Sequence, residues 1–129
     1  MITQYYSGFN IIDMNIFLVE DDKVYSDFIK KSFDGKYDIR LFETAEECLD
    51  EISNTIPEVL LLDYKLPGMS GIEFFEKIND KLSEETKIIM LSSIDDGNLV
   101  LDFIKKGIRD YVVKDDNVIS SLEAVIEGD

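Results

Sequence analysis

The sequence predicts a three-layer α/β protein in which a parallel five-stranded sheet is covered by helices on both faces. Short apolar runs alternate with longer amphipathic segments five times along the 129-residue chain. Strands separated by helices of this length must be parallel and joined by right-handed crossovers. The composition, 45% hydrophobic and 32% charged, is that of one compact globular domain.

The first half of the chain predicts three strands and two helices. Residues 58–62 read Glu-Val-Leu-Leu-Leu, and such a run is typical of a central strand buried on both faces. Thr44 precedes Glu47 by three residues, the spacing of a capping box, and so marks a helix start. The expected elements are strand Asn15–Val19, a helix over 23–33 with Val24, Phe28 and Ile29 on one apolar stripe, strand 37–42, a helix from Thr44 through Ile52, and strand 58–62.

The second half of the chain continues this alternation. A loop over residues 67–71 leads into a helix that carries Ile72, Phe75 and Ile78 on one face. The remaining expected elements are strand 87–91, a helix over 95–106 that Gly107 closes, strand Asp110–Val113, and a last helix over 117–126.

Charged and hydroxyl-bearing residues stand directly after four of the predicted strands. The carboxyl ends of parallel strands lie at one rim of the sheet, where ligands of such proteins bind, so we expect these side chains to converge. They are Glu20, Asp21 and Asp22 after the first strand, Asp63 after the third, Ser92 and Ser93 after the fourth, and Lys114 after the fifth.

The carboxylates at this rim need a cation beside them, because like charges repel and lose hydration when they are buried. Mg²⁺ held by two carboxylates, a backbone carbonyl and waters would supply one. Lys114 would add a second cation, and a serine hydroxyl would add a hydrogen-bond donor. The sequence therefore predicts a metal site accompanied by a lysine and a hydroxyl.

Each of these residues taken alone has a purely structural explanation. A single aspartate at a strand end is more often a helix N-cap than a ligand, and we expect Asp22 to cap the first helix. Ser92 and Ser93 alone would be turn residues, and Lys114 alone would be a solvated lysine. The placement of acids, hydroxyl and lysine at successive strand ends favours the functional interpretation.

The composition argues against several other classes of function. The net charge of −15 disfavours a nucleic-acid surface, since phosphate binding needs clustered lysine and arginine. With no histidine, the chain cannot hold a Ser-His-Asp triad or a zinc site built on histidine. The single cysteine, Cys48, excludes an intramolecular disulfide and makes the cytoplasm the expected location.

Residues 1–14 are expected to be an extension that precedes the domain, which we place at residues 15–129. The extension contains no lysine or arginine and lacks the long apolar run of a signal peptide. It is also too short and too polar to span a membrane, so we expect no membrane association.

Four segments of the sequence carry a resemblance to a known family. They are IFLVEDD at 16–22, LLDYKLPGMSGIE at 61–73, IMLSS at 89–93 and DYVVK at 110–114. Together they are similar to the receiver domain of two-component response regulators, the CheY-like family, from about Asn15 to Ile126. The resemblance implies a doubly wound, flavodoxin-like (βα)5 fold with strand order 2-1-3-4-5.

The resemblance also implies roles for the residues at the rim. Asp63 matches the phosphorylated aspartate, Ser92 the residue that hydrogen-bonds the phosphoryl group, and Lys114 the lysine that pairs with it. The implied metal is Mg²⁺, with Mn²⁺ as a substitute. Its implied ligands are Asp21 directly, Glu20 mostly through water, Asp63, and the backbone carbonyl of Lys65.

Three further positions are singled out by the resemblance. Tyr111 matches an aromatic switch residue on the fifth strand, which would move together with Ser92. Lys65 and Ile94 match the positions that tune the lifetime of the phosphoryl group, and a bulky Ile94 predicts a long-lived one. Two departures stand out, because Asp115 replaces a proline that often follows the lysine, and Asp110 replaces a glycine that often precedes the aromatic residue.

The resemblance implies a regulatory phosphoacceptor that catalyses only its own phosphorylation and dephosphorylation. The donor would be a phosphohistidine on a sensor histidine kinase or phosphotransfer protein, since the chain has no histidine. The face formed by the fourth helix, fifth strand and last helix would then engage a downstream protein, an output domain or a second copy of the chain. No output domain follows the last predicted helix, so we expect a stand-alone regulator or a piece of a longer protein.

Two alternatives remain open on the sequence. A haloacid-dehalogenase-like phosphatase also uses an aspartate nucleophile with Mg²⁺, but it would want a second aspartate where this chain has Lys65. A degenerate receiver that serves as a constitutive interaction module would not need the acidic pair, Asp63, Ser92 and Lys114 all to be intact.

Overall fold

The computed structural model describes residues 14–93 and 97–128, in which five helices alternate with the strands of a five-stranded sheet. A separate two-stranded hairpin, Lys65–Leu66 with Met69–Ser70, lies between the third strand and the third helix. The sheet strands are β1 (Asn15–Val19), β2 (Asp38–Phe42), β3 (Val59–Asp63), β4 (Lys87–Ser92) and β5 (Asp110–Val113). The helices are α1 (Lys23–Ser32), α2 (Ala45–Ile52), α3 (Gly71–Ile78), α4 (Gly97–Lys105) and α5 (Val118–Glu127).

The sheet is parallel throughout, and its strand order is β2-β1-β3-β4-β5. The predicted α/β class and the strand order that the family resemblance implies are both confirmed. The chain runs outward from β1 to β2 and then crosses back to β3, so the direction of winding reverses between β1 and β3. A reversal of this kind opens a crevice beyond the carboxyl ends of the two strands.

Alternate residues of the central strands face two different hydrophobic cores, as the pleat of a strand requires. All five residues of β3 are buried, which confirms the prediction of a strand covered on both faces. One core joins Phe17, Val19, Leu60, Leu62 and Met90 to α2, α3 and α4, and the other joins Ile16, Leu18, Leu61 and Ile89 to α1 and α5.

Helix α1 does not bury the apolar stripe that the sequence suggested. Ile29 is buried, but Val24 and Phe28 are exposed, and the small polar Ser26 lies inside instead. The predicted caps are confirmed, because Asp22 accepts hydrogen bonds from the first turn of α1 and Thr44 forms a capping box at α2.

The proposed extension lies almost entirely outside the described residues, so its boundary with the domain stays a prediction. Met14, the first described residue, is tied to the sheet because its carbonyl accepts a hydrogen bond of 3.0 Å from the Asp38 N–H. Within the described residues, no helix combines the length and the apolar character needed to cross a bilayer.

Candidate functional site

The loop after β1 holds the first acidic residues of the site. The Glu20 N–H donates to the carbonyl of Phe42 at 3.0 Å, which extends the pairing of β1 with β2 by one residue. The Asp22 side chain accepts from the N–H groups of Val24 and Tyr25 at 3.0 and 3.1 Å, while its own N–H donates to Glu20 Oε2 at 3.1 Å. Asp22 therefore caps the helix, as predicted, and the acids of this loop that belong to the site are Glu20 and Asp21.

Asp63 is the last residue of β3, and only 6% of its surface is exposed. The next residue keeps the chain in the sheet, because the Tyr64 N–H donates to the carbonyl of Leu91 at 2.8 Å. The Lys65 N–H points back to Asp63 Oδ1 at 3.4 Å. The carboxyl group is thus held at the carboxyl end of the central strand.

Gly71, which was not among the predicted site residues, allows the start of α3 to lie directly against the backbone of Asp63. A Cβ at this position would lie 2.7 Å from the Asp63 carbonyl oxygen and 2.9 Å from Met90 Sδ. The Gly71 N–H also donates to the Tyr64 carbonyl at 2.7 Å. The tight approach requires glycine, and a single sequence gives no signal that separates it from an ordinary turn glycine.

Ser92 and Lys114 are brought together at the ends of neighbouring strands. Ser92 is buried as the last residue of β4, and its carbonyl accepts from the Lys114 N–H at 2.8 Å. Ser93, the other serine considered, is exposed. Of the two hydroxyl residues, the structure therefore favours Ser92 as part of an enclosed site.

The side chain of Lys114 reaches across the rim to acids from two other strands. Its Nζ lies 2.5 Å from Glu20 Oε1 and 3.2 Å from Asp63 Oδ1, and 17% of the lysine side chain is exposed. On a third side, Nζ lies 4.7 Å from the centre of the Tyr25 ring. Two carboxylates and an aromatic face therefore surround this ammonium group.

The titration behaviour reflects this crowding. Burial raises the pKa of the Glu20 carboxyl, and the Asp63 charge adds to the effect, although hydrogen bonds from Lys114 and from the Asp22 N–H oppose it. Burial alone would lower the pKa of the Lys114 ammonium, but its hydrogen bond to Glu20 and the Asp63 charge outweigh burial and raise that pKa. The charged form of the Lys114 ammonium is therefore favoured, whereas the charged form of the Glu20 carboxyl is disfavoured.

Glu20, Asp21 and Asp63 present carboxylate oxygens that lie within 4.8 Å of one another. Oxygen donors at this spacing suit Mg²⁺ or another hard divalent cation. The arrangement also calls for such an ion electrostatically, because three acids lie together and one lysine contacts two of them. The described residues therefore fit the metal that the sequence predicted.

Three other residues were predicted to take part in the site, namely Lys65, Tyr111 and Ile94. Lys65 is exposed and belongs to the short hairpin that follows Asp63. Tyr111 lies on β5, is 36% exposed, and packs its ring against Phe103 of α4 at 6.2 Å between centroids. Ile94 lies outside the described residues.

Asp115, which stands where a proline was expected, organises the turn before α5. Its carboxylate accepts from the Asn117 N–H at 2.9 Å, and its carbonyl accepts from the Val118 N–H at 3.1 Å. An aspartate bonded to the backbone two residues on is an ordinary turn device. The departure from the family pattern therefore leaves an ordered connection from Lys114 into the last helix.

Comparison with known proteins agrees with this geometry. The family model for the response regulator receiver domain matches residues 16–126. The chain belongs to this family. The receiver domain assignment that the sequence motifs suggested is thereby confirmed.

Relatives of this receiver domain include both short and long proteins. It is 30% identical over 112 residues to the chemotaxis protein CheY of Listeria monocytogenes, covering 82% of this chain and 93% of CheY. It is 21% identical over 116 residues to the hydrogenase transcriptional regulatory protein HoxA of Cupriavidus necator, covering 88% of this chain. The chain spans only 24% of HoxA, so a receiver of this kind also occurs within a much larger regulator.

Solved structures show the same fold. A CheY-like receiver domain protein from Methanospirillum hungatei is 30% identical, with a TM-score of 0.76, and the match covers 88% of this chain and 91% of that chain. A two-component response regulator from Clostridium difficile reaches a TM-score of 0.81 at 22% identity, covering 89% of this chain and 93% of its own. The second likeness bears on the fold alone.

Proposed function

We propose that this receiver domain is a phosphoacceptor switch in which the Asp63 carboxylate receives a phosphoryl group from a phosphohistidine. The observation that carries the proposal is the position of Asp63. Its buried carboxylate ends the central strand, contacts the Lys114 ammonium, and lies within 4.8 Å of the carboxylates of Glu20 and Asp21. An acid with this set of neighbours is suited to bind and stabilise a second anionic group.

In the proposed transfer, an Asp63 carboxylate oxygen attacks the phosphorus atom and forms an O–P bond. The P–N bond to the donor imidazole breaks, and the imidazole takes a proton. The donor histidine would lie outside these 129 residues, which contain no histidine. A sensor histidine kinase or a phosphotransfer protein has the required chemistry.

Positive charge is what this reaction needs most, because both the nucleophile and the phosphoryl group are anionic. Lys114 would serve as a point charge on the phosphoryl oxygens, and its contact with Asp63 Oδ1 already directs it there. Ser92, buried beside Lys114 on the neighbouring strand, would donate a hydrogen bond from its hydroxyl. Both groups would stabilise charge at the acceptor, which is the principal requirement in phosphoryl transfer.

The acidic cluster would hold Mg²⁺, or Mn²⁺ in its place. Asp21, Asp63 and the backbone carbonyl of Lys65 would be direct ligands, while Glu20 would act mostly through water. The lysine contacts support this division, since Nζ lies closer to Glu20 Oε1, at 2.5 Å, than to Asp63 Oδ1, at 3.2 Å. When bound, the ion would neutralise phosphoryl oxygens and help to align the donor.

The phosphorylated state would be recognised at the face formed by α4, β5 and α5. The apolar side chains of Leu101 and Ile104 are exposed on α4, and Tyr111 of β5 packs its ring against Phe103 of the same helix. A phosphoryl group would draw Ser92 toward Asp63 and let Tyr111 turn inward, which is a population shift between two states. A downstream protein, an output domain or a second copy of the chain would read the altered face.

The lifetime of the phosphoryl group would depend on Lys65 and Ile94. A bulky apolar residue at position 94 would hinder an attacking water, so the group is expected to be long-lived. Comparing dephosphorylation of the wild type with that of Ile94→Ala tests this point. An alanine variant that loses the group no faster than the wild type would contradict it.

We further propose a regulatory rather than an enzymatic role and a cytoplasmic location. The exposed Lys65 stands where a haloacid-dehalogenase-like phosphatase would need an aspartate, so a general acid is missing from that place. The domain is proposed to begin at residue 15 and to continue to residue 129.

The test is incubation of the full chain with acetyl phosphate and Mg²⁺, followed by intact-mass measurement. The wild type should gain one phosphoryl group, and both Asp63→Asn and omission of the metal should abolish the gain. A matched control is Asp38→Asn, because Asp38 begins β2 and is exposed at the other end of the sheet. No gain of mass in the wild type, together with no binding of beryllofluoride, would instead favour a constitutive interaction module.

A further inference from the structure

Tyr25 lies on the first turn of α1 with its ring over the ammonium group of Lys114. Nζ is 4.7 Å from the ring centroid, well within the range in which a cation is attracted to an aromatic face. Tyr25 is half-buried, and its hydroxyl oxygen is buried with no hydrogen-bond partner among the described residues. Since the hydroxyl makes no such bond there, the contribution of this side chain comes from its ring.

A closed series of contacts fixes the ring relative to the lysine. Lys114 donates to Glu20, and Glu20 accepts from the N–H of Asp22. The Asp22 carboxylate then accepts from the N–H of Tyr25, whose ring returns to Lys114. Each contact in this loop limits the others, so the position of the ring is set by the same cap that starts α1.

We propose that Tyr25 is a positioning residue that holds the Lys114 ammonium at the phosphoacceptor site. This inference rests on the proposed function and adds a residue to it. Lysine has a flexible four-carbon stem, so its charge is useful at Asp63 only if something restrains it. Tyr25 supplies that restraint through its ring, whose centroid lies 4.7 Å from Nζ.

The ring matters most when the acids are occupied. A divalent cation at the acidic cluster would compete with Lys114 for Glu20 and Asp63, both of which Lys114 contacts. The attraction of an aromatic face does not depend on those carboxylates. It is also strengthened by exclusion of water, and Lys114 is largely shielded, with 17% of its side chain exposed.

The contact itself can be measured without metal or phosphoryl donor. In the metal-free protein labelled on lysine, the ε-methylene protons of Lys114, assigned with Lys114→Arg, should be shifted upfield by the Tyr25 ring current. Tyr25→Phe should keep this shift, and Tyr25→Leu should remove it. Lys114 protons that resonate with the other lysines in the wild type would overturn the inference.

The effect on the site can be measured as the affinity for beryllofluoride in the presence of Mg²⁺. Tyr25→Leu should weaken binding roughly three- to thirtyfold, the range expected of a shielded cation–aromatic contact. Tyr25→Phe, which keeps the ring, should rescue binding to within about twofold of the wild type. Val24→Ala is the control, because it removes an exposed apolar side chain from the same turn of the helix.

A double-mutant cycle separates positioning from general damage to the fold. In a Lys114→Met background, Tyr25→Leu should cause no further loss of affinity, because the partner of the ring is gone. Equal affinities of Tyr25→Leu and Tyr25→Phe, or losses that add to those of Lys114→Met, would overturn the inference. Failure of the wild type to bind beryllofluoride would overturn the proposed function itself, whereas the ring-current shift would still show whether the contact exists.

Discussion

Two lysines at opposite ends of neighbouring strands show how differently the two edges of this sheet are built. Lys87 begins β4 at the amino edge, and its Nζ donates to the carbonyls of Val125 and Gly128 at 2.7 and 2.8 Å. Lys114 follows β5 at the carboxyl edge, where its Nζ faces the carboxylates of Glu20 and Asp63. Lys87 therefore caps the end of a helix, whereas Lys114 forms ion pairs with two acids.

The difference lies in the charged and polar groups that surround each lysine. At the amino edge, the Lys87 ammonium meets the negative end of the α5 dipole, and Glu58 accepts from the Asn15 N–H at 2.9 Å. At the carboxyl edge, three acids form a cluster and one lysine contacts two of them. An edge with surplus negative charge is ready to bind a cation, whereas the Lys87 ammonium already has two carbonyl partners at the end of a helix.

The largest expected effect comes from removing one lysine or the other. Lys114→Met should slow phosphorylation by acetyl phosphate roughly 10²- to 10³-fold, because it removes a charge that stabilises the transferring group. Lys87→Met should leave that rate within about twofold and instead lower the free energy of unfolding by about 1–3 kcal/mol, because two helix-end carbonyls lose their donor. Rates come from intact mass, and stabilities from urea unfolding. Equal losses of the phosphorylation rate in both variants would contradict the different roles assigned to the two lysines.

Glycines at the two edges provide the next comparison. Gly71→Ala should destabilise the chain by about 1–3 kcal/mol, because its Cβ would meet the Asp63 carbonyl oxygen at 2.7 Å and force the backbone to shift. Phosphorylation should slow as well. Gly35, in the turn before β2, has open space around it and a φ of +80°, so Gly35→Ala should cost about 1–2 kcal/mol and leave phosphorylation unchanged.

Metal binding should distinguish the two edges by a smaller amount. Saturating Mg²⁺ should stabilise the wild type by about 1–3 kcal/mol, since it binds only the folded cluster. Asp21→Asn should abolish that gain, and Glu58→Gln, at the amino edge, should keep it. The measurement is the thermal midpoint with and without Mg²⁺. A gain that persists in Asp21→Asn would place the ion elsewhere.

The smallest effect concerns Cys48, which belongs to neither edge. It is fully buried in α2, and burial raises the pKa of its thiol to about 12. Reaction with a thiol reagent requires the thiolate, so the native protein should not react at neutral pH, and the unfolded protein should react at once. Rapid labelling of the native protein would show that α2 opens readily.

The sequence predicted the fold well because its local signals agree with one another. The apolar run that became β3 and the capping box at Thr44 both depend on neighbouring residues, which a sequence displays directly. Asp63, Ser92 and Lys114 were predicted from the rule that parallel strands share a carboxyl edge. That rule requires only the element order.

The features that escaped prediction depend on contacts between distant segments. The ring of Tyr25 meets Lys114, and Gly71 passes behind Asp63, through packing that no local pattern records. In helix α1, Val24 and Phe28 share an apolar stripe with Ile29, but only Ile29 is buried and the other two side chains remain exposed. Apolar spacing indicates which residues can share a face, and the tertiary structure decides whether that face is covered.

The most direct test of the central claim is to locate the phosphoryl group. After reaction with acetyl phosphate and Mg²⁺, borohydride would reduce an acyl phosphate at Asp63 to homoserine, which peptide mass spectrometry detects. We expect this product at position 63 and at none of the other acids. Reduction at a different carboxylate, or an unchanged yield in Asp63→Asn, would contradict it.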